Sequence, residues 1–248
     1  MEKCYYNFGV MIPKTIHYCW FGQGEIPLFA KDCIASWHEH MPDWEYKLWN
    51  EDSFDVNQVP YTKEAYDAKK FAFVSDFVRL WALYNEGGLY MDVDFRVYKP
   101  FDDLLQWKAF AGFEGSKYSP VMMGVIASES HGLWVKEQLD AYQGRHFMNA
   151  DGTMDLTTNV KFVTGVMKSN GFVTNGQEQD YKDLHVLPVD YFCPKQTTGE
   201  YFRTQNTYCE SVGVSSWAKR GGWGAKVGEI VGPKTMTRLI KLKRKLFG

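Results

Sequence analysis

The hydrophobic period of the chain changes once within Phe71 to Pro100, FAFVSDFVRLWALYNEGGLYMDVDFRVYKP, at the pair Gly87-Gly88. Ahead of the glycines, Phe73, Val74, Phe77, Val78, Trp81 and Tyr84 recur at helical spacing and predict an amphipathic helix. Asp76 and Arg79 stand three apart and so lie side by side on it. The glycine pair supplies the positive φ that commonly ends a helix. Beyond it the period is two. Leu89, Met91 and Val93 are expected on one side of a strand, with Tyr90, Asp92 and Asp94 on the other. Two carboxylates near the end of a buried strand are costly unless positive charge meets them. A divalent cation answers that need, and Mg²⁺ or Mn²⁺ suits carboxylates together with phosphate.

An Asp-x-Asp triplet alone is common on turns and surfaces. Here it sits in a longer constellation: Ser75-Asp76-x-x-Arg79, the helix, Gly-Gly, then Tyr90-x-Asp92-x-Asp94. This resembles the sugar-nucleotide-binding core of DXD glycosyltransferases of the GT-A type. It is most similar to glycosyltransferase family 32, which includes capsular polysaccharide and yeast mannosyltransferase relatives, and more distantly to the glucosylating clostridial toxins. The resemblance implies an α/β fold: one GT-A-type (Rossmann-like) nucleotide-sugar-binding domain with a mixed, mostly parallel central sheet. It also implies transfer of a hexose from a nucleoside diphosphate sugar such as a UDP-sugar, with retention of anomeric configuration and no carboxylate identifiable as a covalent nucleophile. In that chemistry Asp92 and Asp94 hold Mn²⁺ or Mg²⁺ on the diphosphate. Asp76 and Arg79 hydrogen-bond the sugar hydroxyls, two acceptors beside a planar donor fork.

The likeness extends along the chain. Ile12 to Phe21, IPKTIHYCWF, alternates as a first buried strand. In the resembled family its tryptophan stacks on the base, which assigns that role to Trp20, against a plain core tryptophan. His17 is read as a hydrogen-bonded core histidine. Helices are expected over 27–40 and within 55–70, and a second strand over 44–49. Asn50 follows that strand where related enzymes place a polar group near base or ribose. Strands are expected at 109–113, 121–127 and 184–192, with helices over 131–142 and 154–167. Thr158 and Asn159 stand where relatives line the donor sugar, and helix capping explains them equally well. The family closes over the diphosphate with a histidine followed by Ser-x-Trp. Ser215, Ser216 and Trp217 match, but no histidine lies between 186 and 217, so Glu210 or water replaces that metal ligand. Arg220 to Gly224 is read as part of a lid.

The chain has 248 residues, enough for a single domain with ample core. Its five cysteines include no CxxC pair, which disfavours a disulfide framework or zinc site and favours a reducing, cytoplasmic setting. MEKCYYNFGVMIPK lacks the apolar run of a secretory signal. From Lys234 onward six basic residues and no acidic one occur, leaving a body with 22 basic against 30 acidic residues. We divide the chain into a catalytic domain, 1–232, and a basic amphipathic helix, 233–248. That helix either lies on an anionic membrane, near a lipid-linked saccharide acceptor, or packs on the acidic body. Nucleic acid is disfavoured because the basic patch is confined to one terminus. Two rival functions remain: a catalytically inactive nucleotide-sugar or carbohydrate-binding protein, and a DxD sugar phosphatase.

Overall fold

The computed structural model describes residues 12–115, 120–194, 201 and 203–213, all within the compact unit Met1–Val214. The expected lid, Ser215 to Trp217 and the 233–248 helix lie outside the described residues. The chain opens with β1 (Thr15–Cys19), α1 (Leu28–His40) and β2 (Glu45–Trp49). α2 (Pro60–Asp67) begins on a proline, whose missing N–H costs nothing in a first turn. α3 (Phe71–Glu86), β3 (Gly88–Met91) and β4 (Phe95–Val97) follow. Then come β5 (Ala109–Phe113), β6 (Val121–Ser128), α4 (Leu133–Asp140) and α5 (Asn159–Ser169). β7 (Gln179–Tyr181), β8 (Leu184–Leu187) and β9 (Cys209–Ser211) complete the described elements. β7 escapes sequence reading because three residues carry no period. The strand expected over 184–192 stops at Leu187, where Pro188 lacks a ladder donor and Tyr191 N closes a turn on its carbonyl.

Seven strands form one sheet in the order β2-β1-β3-β6-β5-β8-β7. The sheet is mixed, as expected. β1, β2, β3, β5 and β8 run one way, and β6 and β7 run against them. Because β6 separates β3 from β5, neighbour pairings divide evenly between parallel and antiparallel. Both faces are buried. Phe73, Val74, Phe77 and Val78 of α3 pack with Tyr90, Ala111, Met123 and Ile126 on one face. Trp37 of α1, with Phe101 and Phe192, packs against Ile16, Leu89, Met91, Phe110 and Val125 on the other. Burial on both faces explains the continuous apolar run of β6.

The α3–β3 junction fixes the register of the site. Gly87 and Gly88 take φ of 69° and 111°, and a side chain on Gly88 would stand 2.6 Å from the Thr15 carbonyl oxygen. The buried His17 locks this junction: Nε2 donates to the Gly87 carbonyl at 2.7 Å, and Nδ1 accepts from the Trp49 indole at 3.1 Å. Burial depresses its pKa, which keeps the ring neutral.

One expectation needs correction. The strand does not run through Asp94; β3 ends at Met91. Asp92 adds one more ladder bond, from its N to Gly124 O at 2.8 Å, and Phe95 N then bonds Asp92 O at 3.1 Å to close a turn. Asp at the head of a turn satisfies local donors better than it extends a strand. β4, beyond the turn, pairs with β9 in a separate two-stranded sheet. Helix α1 holds it there, with Trp37 Nε1 donating to Phe95 O at 2.7 Å and Val97 N donating to Ser36 Oγ at 3.0 Å.

Candidate active site at the carboxyl edge of the sheet

The co-directional strands deliver their carboxyl ends to one edge, where α/β sheets bind ligands at the point where strand order reverses. Trp20 follows β1, Asn50 follows β2, Asp92 follows β3 and Glu114 follows β5. α3 brings Asp76 and Arg79 to the same edge, on the face that carries Tyr90.

The centre of the site is a buried guanidinium. Arg79 Nη2 donates to Asp76 Oδ1 at 2.9 Å and stands 3.5 Å from Asp92 Oδ1. Its Nη1 donates to the Met123 carbonyl at 2.6 Å and its Nε to the Ser75 carbonyl at 3.2 Å. Met123 lies where the register of β6 against β5 shifts, leaving its carbonyl to a side chain. The guanidinium also lies over the Tyr90 ring, 4.6 Å from its centroid. Tyr90 OH donates to Asp92 Oδ1 at 2.7 Å. One cation thus joins two carboxylates, and a tyrosine fixes the second.

Charge accumulates beyond what Arg79 offsets. Burial pushes the Asp76 carboxyl up to about 6, against the pull of Arg79. Asp94 rises to about 6, through burial first and the Asp92 charge second. Glu114 rises to about 7 for the same two reasons. Such a carboxylate group is disfavoured until a cation or hydrogen-bond donors arrive.

The other residues singled out from sequence fall as follows. Trp20 is half-buried and outside the core; its indole donates to Gly24 O at 2.6 Å. Asn50 uses its Oδ1 locally, accepting from Asp52 N at 3.1 Å and Ser53 Oγ at 3.2 Å. Ser75 Oγ bonds back to Phe71 O at 3.2 Å. Thr158 caps α5, accepting from Lys161 N at 3.4 Å. Asn159 reaches the site from α5: it is buried, and its Nδ2 donates to the Asp76 carbonyl at 3.4 Å. Asp94 Oδ2 accepts from Ser211 Oγ at 2.9 Å, and its carbonyl accepts from Val212 N at 2.8 Å.

Glu210 does not join the two aspartates. It alternates with Ser211 along β9, and its two oxygens accept from Tyr98 OH and Tyr201 OH, each at 2.6 Å. Among the described residues no group of three His, Cys, Asp or Glu converges on a metal position. Asp92 and Asp94 nevertheless fit a hard divalent cation, since Mg²⁺-type sites commonly use one or two carboxylates and take their remaining oxygens from phosphate and water. Sequence reasoning missed the Met123 carbonyl, Ser211 and Glu114. Only Glu114 carried a signal, as a carboxylate directly after an apolar strand.

The chain is similar in part to several known proteins. A family described as "Glycosyltransferase sugar-binding region containing DXD motif" matches residues 29–111. That stretch holds Asp76, Arg79, Tyr90, Asp92 and Asp94, and leaves Trp20, Asn159 and Glu210 outside. Inositol phosphoceramide mannosyltransferase 3 of Schizosaccharomyces pombe is 34% identical over 113 residues, covering 44% of this chain and 32% of that protein. Glucan organizing enzyme 1 of Cryptococcus neoformans var. grubii is 27% identical over 165 residues, covering 54% and 45%. The chain therefore spans less than half the length of these curated relatives. Among solved structures, PaToxG glycosyltransferase superposes with a TM-score of 0.49 at 18% identity, covering 65% of this chain and 70% of that one. A galactosyltransferase, LgtC, in complex with donor and acceptor sugar analogues gives 0.47 at 11% identity, covering 87% and 94%.

Proposed function

We propose that this chain is a metal-dependent glycosyltransferase, moving a hexose from a nucleoside diphosphate sugar to a saccharide acceptor with retention of configuration. The observation that carries this reading is the Asp76–Arg79–Asp92 bridge at the carboxyl edge of the sheet, inside the stretch that matches a DXD sugar-binding region. Asp92 and Asp94 would hold Mn²⁺ or Mg²⁺. When bound, the cation neutralises the charge that grows on the diphosphate as its bond to the sugar breaks, without a proton donor.

The chain's own residues supply orientation. Trp20, at the end of β1 and outside the core, offers a ring face to the base. Asp76, fixed by Arg79, accepts from sugar hydroxyls, and Asn159 at the head of α5 closes the same side. Holding the anomeric carbon against the acceptor hydroxyl, on the face from which the diphosphate leaves, is where much of the rate advantage lies. Because relatives are named as mannosyltransferases, mannosyl donors are to be tried beside UDP-hexoses. A lipid-linked acceptor on the cytoplasmic leaflet, approached through the basic stretch from Lys234, belongs to the same proposal and rests on sequence.

The test is nucleotide release from GDP-mannose, UDP-glucose, UDP-galactose and UDP-N-acetylglucosamine with and without Mn²⁺. Cation-dependent release from at least one donor, lost in Asp94→Ala, is expected. No release from any donor, or phosphate release from a sugar phosphate instead, would overturn the reading.

A further inference from the structure

Glu114 has no part in the donor contacts described above, yet it shares their edge of the sheet. It follows β5 directly, and its backbone N is pinned to Pro120 O at 2.9 Å, where β6 begins. β3 and β5 flank β6 on opposite sides and run in the same direction. Asp92 and Glu114 are therefore the two carboxylates at the carboxyl ends of those flanking strands. The β6 residues between them, Val121, Met122, Met123 and Gly124, are buried and contribute no ionisable side chain.

Structural carboxylates in such positions have a cation or a set of donors. Among the described residues Glu114 has neither: the charge acting on it is that of Asp92, another carboxylate, and it acts in turn on the Cys193 thiol. Removing it should cost the fold little. Keeping it there pays only if a ligand brings a donor.

Position along the edge says which ligand. The order β2, β1, β3, β6, β5 puts the base side at Trp20 and Asn50 and the diphosphate side at Asp92. Glu114 comes next, past Asp92 along the same edge, where a hydroxyl can reach the anomeric carbon beside the departing diphosphate, as retention without a covalent nucleophile requires. Resting on the proposed function, we infer that Glu114 receives the incoming hydroxyl, accepting its hydrogen bond and aiming its oxygen at the anomeric carbon as the bond from that carbon to the diphosphate breaks, with the hydroxyl proton passing to the departing phosphate oxygen. The hydroxyl belongs to the saccharide acceptor or, in its absence, to water.

Because water enters the same place, the test needs no acceptor. Hydrolysis of GDP-mannose, UDP-glucose, UDP-galactose and UDP-N-acetylglucosamine with Mn²⁺ is measured for the full chain, Glu114→Ala and Glu114→Gln. UDP–Mn²⁺ and GDP–Mn²⁺ affinities are measured in parallel by calorimetry. The kcat for hydrolysis should fall roughly 10- to 100-fold in Glu114→Ala, the loss expected of one charge-assisted hydrogen bond. Glu114→Gln, which keeps an acceptor oxygen, should fall less, and nucleotide affinity should not change in either. Unchanged kcat in both variants, or affinity falling in step with kcat, overturns the inference while leaving the glycosyltransferase reading intact. No turnover by the unaltered chain with any donor overturns both.

Discussion

The hydroxyl of Tyr90 donates to Oδ1 of Asp92 at 2.7 Å, so the residue that begins the Tyr-x-Asp-x-Asp run fixes the carboxylate two places later. A carboxylate held by a neutral donor and by Arg79 keeps one orientation before any cation arrives, and that preorganisation is a gain in affinity.

Removing the hydroxyl should therefore weaken the site without unfolding it. In Tyr90→Phe the ring still fills its place under Arg79, while Asp92 loses one charge-assisted bond. We expect UDP–Mn²⁺ affinity to fall by about 1.5–3 kcal/mol, read by calorimetry, with the melting temperature nearly unchanged. A loss of stability with intact affinity would assign Tyr90 to the core alone.

Arg79→Lys keeps the charge but loses the fork. A lysine cannot serve Met123 O, Ser75 O and Asp76 together, as the guanidinium does. The variant should lose stability by roughly 1–3 kcal/mol, the cost of leaving a buried polar group unsatisfied, as well as transfer activity. Denaturant unfolding decides this. A variant as stable as the parent but inactive would show that the guanidinium acts on the sugar rather than within the fold.

The acidic cluster makes stability depend on pH in a direction set by its shifts. Asp76, Asp94 and Glu114 lie at about 6, 6 and 7 in the folded chain, above the ordinary carboxylate value of about 4. Their contribution is fully present below that ordinary value and is lost as pH rises through 6 to 7. His17, with a depressed pKa, acts in the opposite sense, losing stability as pH falls below the usual histidine range. A cation competes with protons for the carboxylates, so Mn²⁺ should raise the melting temperature more near pH 7.5 than near pH 5 (about). Equal shifts at the two pH values would place the cation elsewhere.

Much of this was legible because it repeats locally. The helix through Asp76 and Arg79, the glycine stop and the alternation of Leu89, Tyr90 and Met91 between the two cores all follow from period. What failed was non-local. Nothing near Asp92 in sequence tells that the ladder ends there, since that depends on α1 drawing Phe95 and Val97 to Trp37 and Ser36. Glu210 looked available because its partners, Tyr98 and Tyr201, come from separate segments. The tie from Asp94 to Ser211 likewise needs β9 beside β4, a pairing between strands more than a hundred residues apart.

Gly124 offers the sharpest test of Asp92, because it presses on that carboxylate from the neighbouring strand. A methyl group there would stand 2.6 Å from Phe95 Cε2 and 3.0 Å from Asp92 Oδ2. The first is closer than real side-chain contacts come, so the Phe95 ring must shift, and the second is tight enough to press on the carboxylate. Phe95 is buried and its carbonyl is tied to Trp37, whereas the Asp92 side chain is 35% exposed. With that ring confined by the core, the carboxylate should give way as well, swinging off Tyr90 and out of line with Asp94. In Gly124→Ala we expect UDP–Mn²⁺ affinity to drop about tenfold or more, one lost charge-assisted bond at the least. Overpacking should cost roughly 1–3 kcal/mol of stability. Gly165→Ala in α5 is the control, since a methyl there meets nothing within 4 Å. It should gain about 0.5–1 kcal/mol of stability and leave binding alone. If Gly124→Ala binds the nucleotide as the parent does, the Phe95 ring alone has moved and Asp92 has kept its place.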